Sequence, residues 1–175
     1  QRVRFIDGTG HVAGYGLNFN ADQSQIYLCG GTTTGDVFTT SNGYQNTYAG
    51  GTADGYLMRI ETATFPTLSS TFFGTSTYDQ IYFVQVEEST GRVYVTGQTD
   101  NTNFVTTSGV YKINLGGIFI SAFNADLSSL IYSTTIGSIA AGNIGTEISP
   151  SAFLIDRCGN VSFSGWGGET NNNYN

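Results

Sequence analysis

Short runs of apolar residues, separated by residues that favour turns, follow one another along the whole chain. Runs that are rich in Val, Ile, Tyr, Phe and Thr and bounded by Gly, Asn, Asp and Ser are typical of β-strands. In the middle of the chain this pattern predicts strands over residues 81–87, 92–97, 117–123 and 130–136. Apolar residues occupy both alternate sets of positions, which indicates that both faces of these strands are buried.

The apolar runs recur at a nearly constant spacing. Residues 25–32 (QIYLCGGT) match residues 92–99 (RVYVTGQT), 67 positions later, and residues 160–167 (NVSFSGWG) match again after a further 68 positions. Two more pairs of segments match at a spacing of 63 positions: 55–60 with 118–123, and 70–74 with 133–137. Because the matched segments keep the same order, the sequence predicts an internal structural repeat.

Each repeat of about 67 residues contains four predicted strands and therefore has the size and shape of a four-stranded antiparallel β-propeller blade. The expected divisions are the end of a preceding blade (1–13), two whole blades (14–79 and 80–146) and the start of a further blade (147–175). A closed ring of about four to eight such blades needs roughly 270 to 540 residues. The sequence therefore predicts an all-β fold with an incomplete propeller ring.

The β-helix and the β-sandwich are the other all-β architectures to compare with the propeller. The coils of a β-helix are much shorter than the repeat found here, so a β-helix does not fit the spacing. A β-sandwich fits the strand content and remains an alternative, but it gives no reason for a regular repeat.

Composition narrows the choice of function. Only 11% of the residues are charged, against about 25% in an average domain. The formal net charge of −7 opposes binding to nucleic acid. No apolar run is long enough to span a bilayer as a helix, which excludes membrane insertion of that kind. The chain opens on Gln1 and closes on Asn175, and both ends are expected to be cuts in a longer polypeptide or processing sites.

The two cysteines, Cys29 and Cys158, lie at positions that do not correspond in the repeat. Free thiols are the favoured interpretation, and a disulfide between them is the alternative. The chain has no CxxC or HxH spacing and a single histidine, so no metal site and no cofactor are predicted.

A catalytic centre is not predicted either. A nucleophilic triad needs a base beside the nucleophile, and the only histidine, His11, lies in a predicted loop. Several acids fall in predicted turns, where they stabilise the backbone by local hydrogen bonds: Asp22, Glu87, Glu88, Asp126 and Asp156. Others fall in predicted loops that would line one face of a propeller: Asp36, Asp54, Asp79, Asp100 and Glu147.

Three aromatic residues are the candidate ligand-binding residues: Tyr44, Tyr111 and Trp166. They are expected in or beside loops of a surface rich in hydroxyls and amides. Amides and hydroxyls can hydrogen-bond to sugars, and aromatic rings can stack on them. The alternative is structural, with these rings filling gaps between neighbouring blades.

At these residues the chain resembles a known family. Residues 91–99 (GRVYVTGQT), 128–137 (SSLIYSTTIG) and 54–60 (DGYLMRI) look like the bacterial β-propeller repeat called SBBP. The second unit departs from that pattern at 117–119, where the Asp is missing. Residues 148–168 are similar to segments of large secreted and surface proteins of Bacteroidetes. That resemblance implies export, with gliding-motility or type IX secretion as the associated route.

The resemblance implies a non-enzymatic, extracellular or cell-surface propeller segment that serves adhesion, scaffolding or protein–protein interaction. Its expected partners are other blades of the same longer chain or further protein copies, with extracellular glycans as a further candidate. A carbohydrate-binding module is the alternative function, and part of a polysaccharide-degrading enzyme is a weaker one.

Overall fold

A computed structural model of the chain describes residues 6–37, 39–111, 117–137 and 148–166. The described residues form ten β-strands and no helix, so the predicted all-β class is confirmed. The strands are β1 (Val12–Phe19), β2 (Gln25–Thr32), β3 (Asp54–Glu61), β4 (Thr67–Phe73), β5 (Asp79–Val86), β6 (Val93–Thr99), β7 (Gly117–Phe123), β8 (Leu130–Ile136), β9 (Ser149–Ile155) and β10 (Val161–Trp166).

The strands form three antiparallel sheets in chain order. The first sheet has the order β1-β2-β3-β4, the second has the order β5-β6-β7-β8, and β9 and β10 form a two-stranded hairpin. The strands of the second sheet begin and end within two residues of the positions predicted from the apolar pattern. The matched segments 25–32 and 92–99 contain β2 and β6, the second strands of the two larger sheets.

The first sheet begins two residues before the predicted unit boundary at residue 14. Val12 and Ala13 belong to β1, where they pair with Thr32 and Gly31. The side chain of Val12 also packs against an apolar cluster of the first sheet, which explains why the strand extends to it. The boundary predicted between residues 146 and 147 lies outside the described residues.

A glycine recurs in the second strand of each sheet, at Gly30, Gly97 and Gly165. In the first two sheets it lies beside a bulge in the neighbouring strand, where the backbone approaches closely. A Cβ atom would lie 1.8 Å from Ala13 O at Gly30 and 1.9 Å from Gln80 O at Gly97. Only glycine leaves room for this approach, so the bulge explains why glycine stands at this point of the repeat.

The sheets stack face to face. Strand β5 packs across β1, β2 and β3 of the first sheet, and β9 packs on β5 and β6 of the second. In the second sheet, we call the face that carries Val84 and Val95 the front face and the opposite face the back face. In the other two sheets, the front face is the one that carries the residues at the equivalent positions of the repeat. The front face of the second sheet lies on the back face of the first, and the hairpin lies on the back face of the second.

The main apolar core lies between the first and second sheets. Its centre is Phe73 of β4, whose ring makes edge-on contacts with Phe104, Phe119 and Phe123 at centroid distances of 5.0 to 5.4 Å. Aliphatic residues of both sheets surround these rings, among them Leu57, Ile81, Val84, Val93 and Val95. Burial of large apolar side chains from two sheets in one layer stabilises their stacking.

A second apolar cluster covers the front face of the first sheet. Tyr56, Met58, Ile60 and Phe72 are buried there, although no further sheet among the described residues packs on them. The segment between β2 and β3 contributes part of the cover through Val37 and Tyr48, and Phe65 contributes another part.

The segments between the second and third strands run along the outer strand of each large sheet. Thr40 N donates to Ser70 O on β4, and Ser70 N donates to Thr40 Oγ1 at 2.9 Å. Thr107 and Ser133 on β8 repeat the same pair of bonds, with Thr107 N donating at 3.0 Å and Ser133 N at 3.1 Å. The repeat found in the sequence therefore extends to the hydrogen bonds of its connecting segments.

Candidate functional site

The strand ends form two ends of the stack. The turn end carries the hairpin turns at 20–25, 61–66, 87–92, 124–129 and 156–160, and the connections 33–37, 39–53, 74–78 and 100–111 begin at the loop end. The candidate groups occur at both ends and on the open faces of the sheets.

Tyr44, one of the three predicted ligand-binding residues, lies between the first and second sheets. Its ring makes edge-on contacts with Phe73 and Phe123 at centroid distances of 6.1 and 5.7 Å. Its backbone N–H donates to Leu127 O in the turn between β7 and β8, at 2.9 Å. Tyr44 therefore joins the two sheets, and 38% of its surface is left exposed.

Tyr111 and Trp166 lie on other elements and are far more open. Tyr111 lies in the segment that follows β6 and is 84% exposed, and Trp166 ends β10 and is 62% exposed. No ring contact joins any two of the three predicted residues within the described part of the chain. The structure thus places them at three separate positions.

Three acids predicted to stabilise turns do so. Asp22 accepts from the N–H and hydroxyl of Ser24, Asp126 accepts from those of Ser128, and Asp156 accepts from the N–H groups of Cys158 and Asn160. These hydrogen bonds favour the ionised form and lower the pKa of all three carboxyls.

Two acids at the loop end are fully buried. Asp54 Oδ2 accepts from Ala49 N at 2.5 Å, and Asp79 Oδ2 accepts from the N–H and hydroxyl of Thr75 at 2.6 Å each. The pKa of Asp54 is raised to about 7, mainly by burial; the hydrogen bond from Ala49 lowers it, and the nearby charge of Asp79 raises it. Burial also raises the pKa of Asp79, against hydrogen bonds from Thr75 and Thr99 that lower it.

The surroundings of Asp54 leave no room for a ligand. Its Oδ1 has no hydrogen-bond partner in the described part of the chain, and a Cβ on Gly74 would lie 2.4 Å from it. The carboxylate is therefore packed against backbone. Among the described residues, no group of three or more His, Cys, Asp or Glu side chains could hold a metal ion.

Tyrosine hydroxyls form a chain next to these acids. The hydroxyls of Tyr78 and Tyr82 lie 2.7 Å apart, and that of Tyr82 donates to Gln98 Oε1 at 3.0 Å. Gln98 Nε2 then donates to Ile148 O, just before β9, at 2.7 Å. The ring of Tyr15 packs on that of Tyr82 with a centroid distance of 5.1 Å, so this polar chain connects all three sheets.

The remaining acids predicted in loops are less enclosed. Asp36 accepts from Thr9 N at 2.7 Å and from the Thr34 hydroxyl at 2.6 Å, which lowers its pKa. Asp100 follows β6, and burial raises its pKa. Glu147 lies outside the described residues.

Both cysteines are free thiols, which confirms the favoured interpretation. Cys29 is buried between the first two sheets, and burial raises the pKa of its thiol to about 12. Cys158 is exposed in the turn between β9 and β10.

The front face of the first sheet exposes large apolar side chains at one edge. Leu17 and Phe19 of β1 are 60% and 45% exposed, whereas Val84 and Val86, which stand 67 positions later on β5, are 2% and 8% exposed. The difference has a simple cause, because the first sheet covers Val84 and Val86 while no described segment covers Leu17 and Phe19. This edge is an open stacking surface.

The first strands of the three sheets enclose a cavity of about 340 Å³ at the turn end. Asn18 and Phe19 of β1, Gln85 of β5 and Leu154 of β9 are among its lining residues. Asn18 Oδ1 accepts from Val86 N at 3.1 Å and so joins β1 to β5 at its wall.

A groove of about 360 Å³ lies between the back face of the second sheet and the hairpin. It is lined by Arg92, Tyr94, Ile120, Ala122, Ile131, Tyr132 and Val161. The hairpin packs mainly on β5 and β6, and among the described residues no strand packs over the outer half of the second sheet there.

Comparison with known proteins gives no family assignment: no protein-family model matches the chain, and no curated protein matches it significantly. The described residues contain no helix that could cross a membrane.

An open array of such repeats is expected to expose two apolar faces, and the sequence contained the signal for both open surfaces. In the alignment of the repeats, Leu17 corresponds to Val84 and Val161 corresponds to Val93. Val84 and Val93 are both buried in the second sheet. Burial of Asp54 had a weaker signal, since an acid that begins a strand is indistinguishable by pattern from one in a loop.

Proposed function

We propose that the chain is a non-enzymatic propeller segment of an extracellular or cell-surface bacterial protein, with a role in adhesion, scaffolding or protein–protein interaction. Each four-stranded sheet is one blade in this proposal, and the hairpin is the first half of another. Other blades of the same longer chain or further protein copies complete the ring.

One observation carries the proposal: the sheets stack on one another through the same pair of faces. Val84 on β5 meets the back face of the first sheet, and Phe153, which pairs with Phe163 as Val84 pairs with Val95, meets the back face of the second. Leu17, which corresponds to Val84 in the repeat, is 60% exposed and available for the same contact. A repeated contact with open ends is what an array of blades requires.

The SBBP-like sequence pattern supports the bacterial and extracellular parts of the proposal. The low content of charged residues, at 11%, and the surface hydroxyls and amides agree with a secreted repeat protein. The buried acids hold loops by hydrogen bonds to backbone, which supports a structural role for them.

Electron microscopy and mass measurement of the natural polypeptide test the proposal. We expect a ring of four to eight blades around a central channel. The denatured mass will exceed 18.7 kDa if one chain completes the ring, or the native mass will be a multiple of it if copies do. A compact monomer of 18.7 kDa without a ring would contradict the proposal.

Polysaccharide-binding assays on the same preparation test the carbohydrate-binding alternative, which the exposed rings of Tyr111 and Trp166 favour. Polysaccharide binding that is lost in Tyr111→Ala and Trp166→Ala, with the fold intact, would support a binding module instead. Because the ring of Tyr44 contacts Phe73 and Phe123 between the two sheets, Tyr44→Ala is a control that should lower stability. Depolymerisation of a polysaccharide by the chain alone would support an enzyme.

A further inference from the structure

The cavity at the turn end has a polar wall that three successive sheets build together. Its lining residues fall within 18–23, 85–88 and 154–157, ranges that the structure describes in full. They are the last residues of β1, β5 and β9 and the turns that follow these strands. The volume of about 340 Å³ lies at the lower end of the range for small-molecule sites, which is about 300–1,000 Å³.

Part of the polar lining is engaged within the fold. Asn20 and Asp156 are held by hydrogen bonds inside their own turns. Asn18 Oδ1 accepts from Val86 N at 3.1 Å, which ties β1 of the first sheet to β5 of the second. These bonds fix the wall in place, so a ligand need not order it on binding.

Other polar groups of the lining remain available to a ligand. Within the described part of the chain, no hydrogen bond engages the side-chain amides of Gln23 and Gln85 or the Nδ2 group of Asn18. An amide side chain carries both donors and an acceptor. The cavity therefore offers hydrogen-bonding groups of both kinds.

A loose ion pair lies beside these amides. Arg157 Nε and Glu88 Oε2 are 3.9 Å apart, which is longer than a hydrogen bond. A ligand hydroxyl that contacts both can accept from the guanidinium and donate to the carboxylate. Together with Asp156, two carboxylates and one guanidinium leave the lining with a net charge of −1, which disfavours an anion. The guanidinium likewise disfavours a cation.

We propose that this cavity binds a neutral sugar ring through its hydroxyl groups. Each hydroxyl both donates and accepts, which suits the amides of Gln23 and Gln85 and the pair formed by Glu88 and Arg157. The C–H groups of the ring suit the apolar part of the lining, to which Leu154 contributes.

The site goes beyond the proposed function, because it requires neither a completed ring nor a role in adhesion. It also lies apart from Trp166, which ends β10 at the loop end of the hairpin, whereas the cavity is at the turn end. Sugar binding at these two places can therefore be distinguished by substitution.

Titration of the full chain with neutral sugars, followed by NMR of its backbone amides, tests the site. The probes are the methyl glycosides of glucose, galactose and mannose. We expect at least one of them to shift the amide signals of residues 18–23, 85–88 and 154–157 saturably, with a dissociation constant in the millimolar range. No saturable shift with any of the three at about 50 mM would overturn the proposal.

The charge of the ligand gives a second measurement. The uronate that corresponds to the best-binding sugar keeps the same ring and adds a carboxylate. Because the lining is net negative, the uronate should bind at least about fivefold more weakly than the neutral sugar. Equal or tighter binding of the uronate would contradict a site for a neutral sugar.

Protein variants locate the binding groups. Gln85→Ala and Arg157→Ala should each weaken binding at least about fivefold with an unchanged fold, because each removes a hydrogen-bonding group from the wall. The matched controls are Gln80→Ala, at the loop end of β5, and Arg92→Ala, an exposed arginine outside the lining. Both controls should leave the affinity unchanged, and equal losses in variants and controls would overturn the proposal.

Trp166→Ala decides between the cavity and the hairpin. It should leave sugar binding unchanged if the cavity is the site. Loss of binding in Trp166→Ala together with full binding in Gln85→Ala would overturn the proposal. Ring formation is measured by mass and microscopy and sugar binding by titration, so the two proposals fail by different measurements.

Discussion

At the scale of single residues, the most unusual group is the buried carboxyl of Asp54. It has one hydrogen bond, from Ala49 N, and its other oxygen has no partner in the described part of the chain. Asp79, which is joined to the same region through its N–H bond to Ala53 O at 2.8 Å, adds negative charge nearby. An ionised carboxylate in this place destabilises the folded state, so folding favours the protonated form.

Asp54 should make the protein less stable as the pH rises. Its folded pKa of about 7 lies above the ordinary value of 3.8, so the folded state binds the proton more tightly, and stability falls between about pH 4 and pH 7. Asp54→Asn should therefore raise the free energy of unfolding at pH 8, by up to about 4 kcal/mol. It should also flatten the dependence between pH 5 and pH 8, measured by urea unfolding across that range.

Asp126→Asn is the matched control. Asp126 is exposed, and hydrogen bonds from Ser128 lower its pKa, so its ionisation is complete throughout that range. This variant should keep the wild-type slope between pH 5 and pH 8. If Asp54→Asn also kept that slope, the carboxyl of Asp54 would not be the group that titrates.

At the scale of elements, four of the five described hairpin turns fall into two recurring types. Residues 20–25 (NADQSQ) and 124–129 (NADLSS) form the same turn, in which the first Asn and the Asp accept from the last residues and the fourth residue has a positive φ. Residues 61–66 and 87–92 share another type, with a leading Glu that accepts from a Thr hydroxyl three residues later.

In the first turn type, a comparison of the two fourth residues separates the effect of the positive φ on stability from the effect of the side chain. Gln23 and Leu127 have φ values of 58° and 63°, but Gln23 is exposed and Leu127 is fully buried in the core. Gln23→Gly should change the free energy of unfolding by less than about 1 kcal/mol. Leu127→Gly should lower it by about 3 kcal/mol, because it also removes core contacts. Thermal unfolding of both variants measures the difference, and equal losses would contradict it.

Strand positions were the most predictable part of the fold. The apolar runs placed β7 and β8 at the residues observed and β5 and β6 within two residues, because local pattern and final burial agree there. The shared turn type was missed, since its two copies do not correspond in the repeat. The role of Tyr44 between the sheets depends on contacts with Phe73 and Phe123, which lie far away in sequence.

At the scale of the whole molecule, stacking is directional. The second sheet presents its front face to the back face of the first, and the hairpin presents its front face to the back face of the second. The front face of the first sheet exposes Leu17 and Phe19. The hairpin exposes Leu154 and Trp166, at 56% and 62%. Exposed apolar surface of this kind favours association through the faces.

The isolated chain should associate through the front face of its first sheet. Sedimentation should give a mass above 18.7 kDa that rises with protein concentration. The double variant Leu17→Asp, Phe19→Asp should remain near 18.7 kDa with its fold intact, because charge on this face opposes burial. Leu68→Asp, on the outer strand β4, should behave as the unaltered chain does. A concentration-independent monomer in the unaltered chain would argue for a closed fold.

The segments that run along β4 and β8 have a consequence for how such an assembly grows. Through Thr40 and Thr107 they occupy outer backbone groups of strands that would otherwise be free to pair with another molecule. Lateral joining of sheets into flat, amyloid-like ribbons is thereby suppressed on the periphery of both large sheets. At these two edges, association is therefore left to the apolar faces of the sheets, and the outer strands do not act as a general nucleus for aggregation.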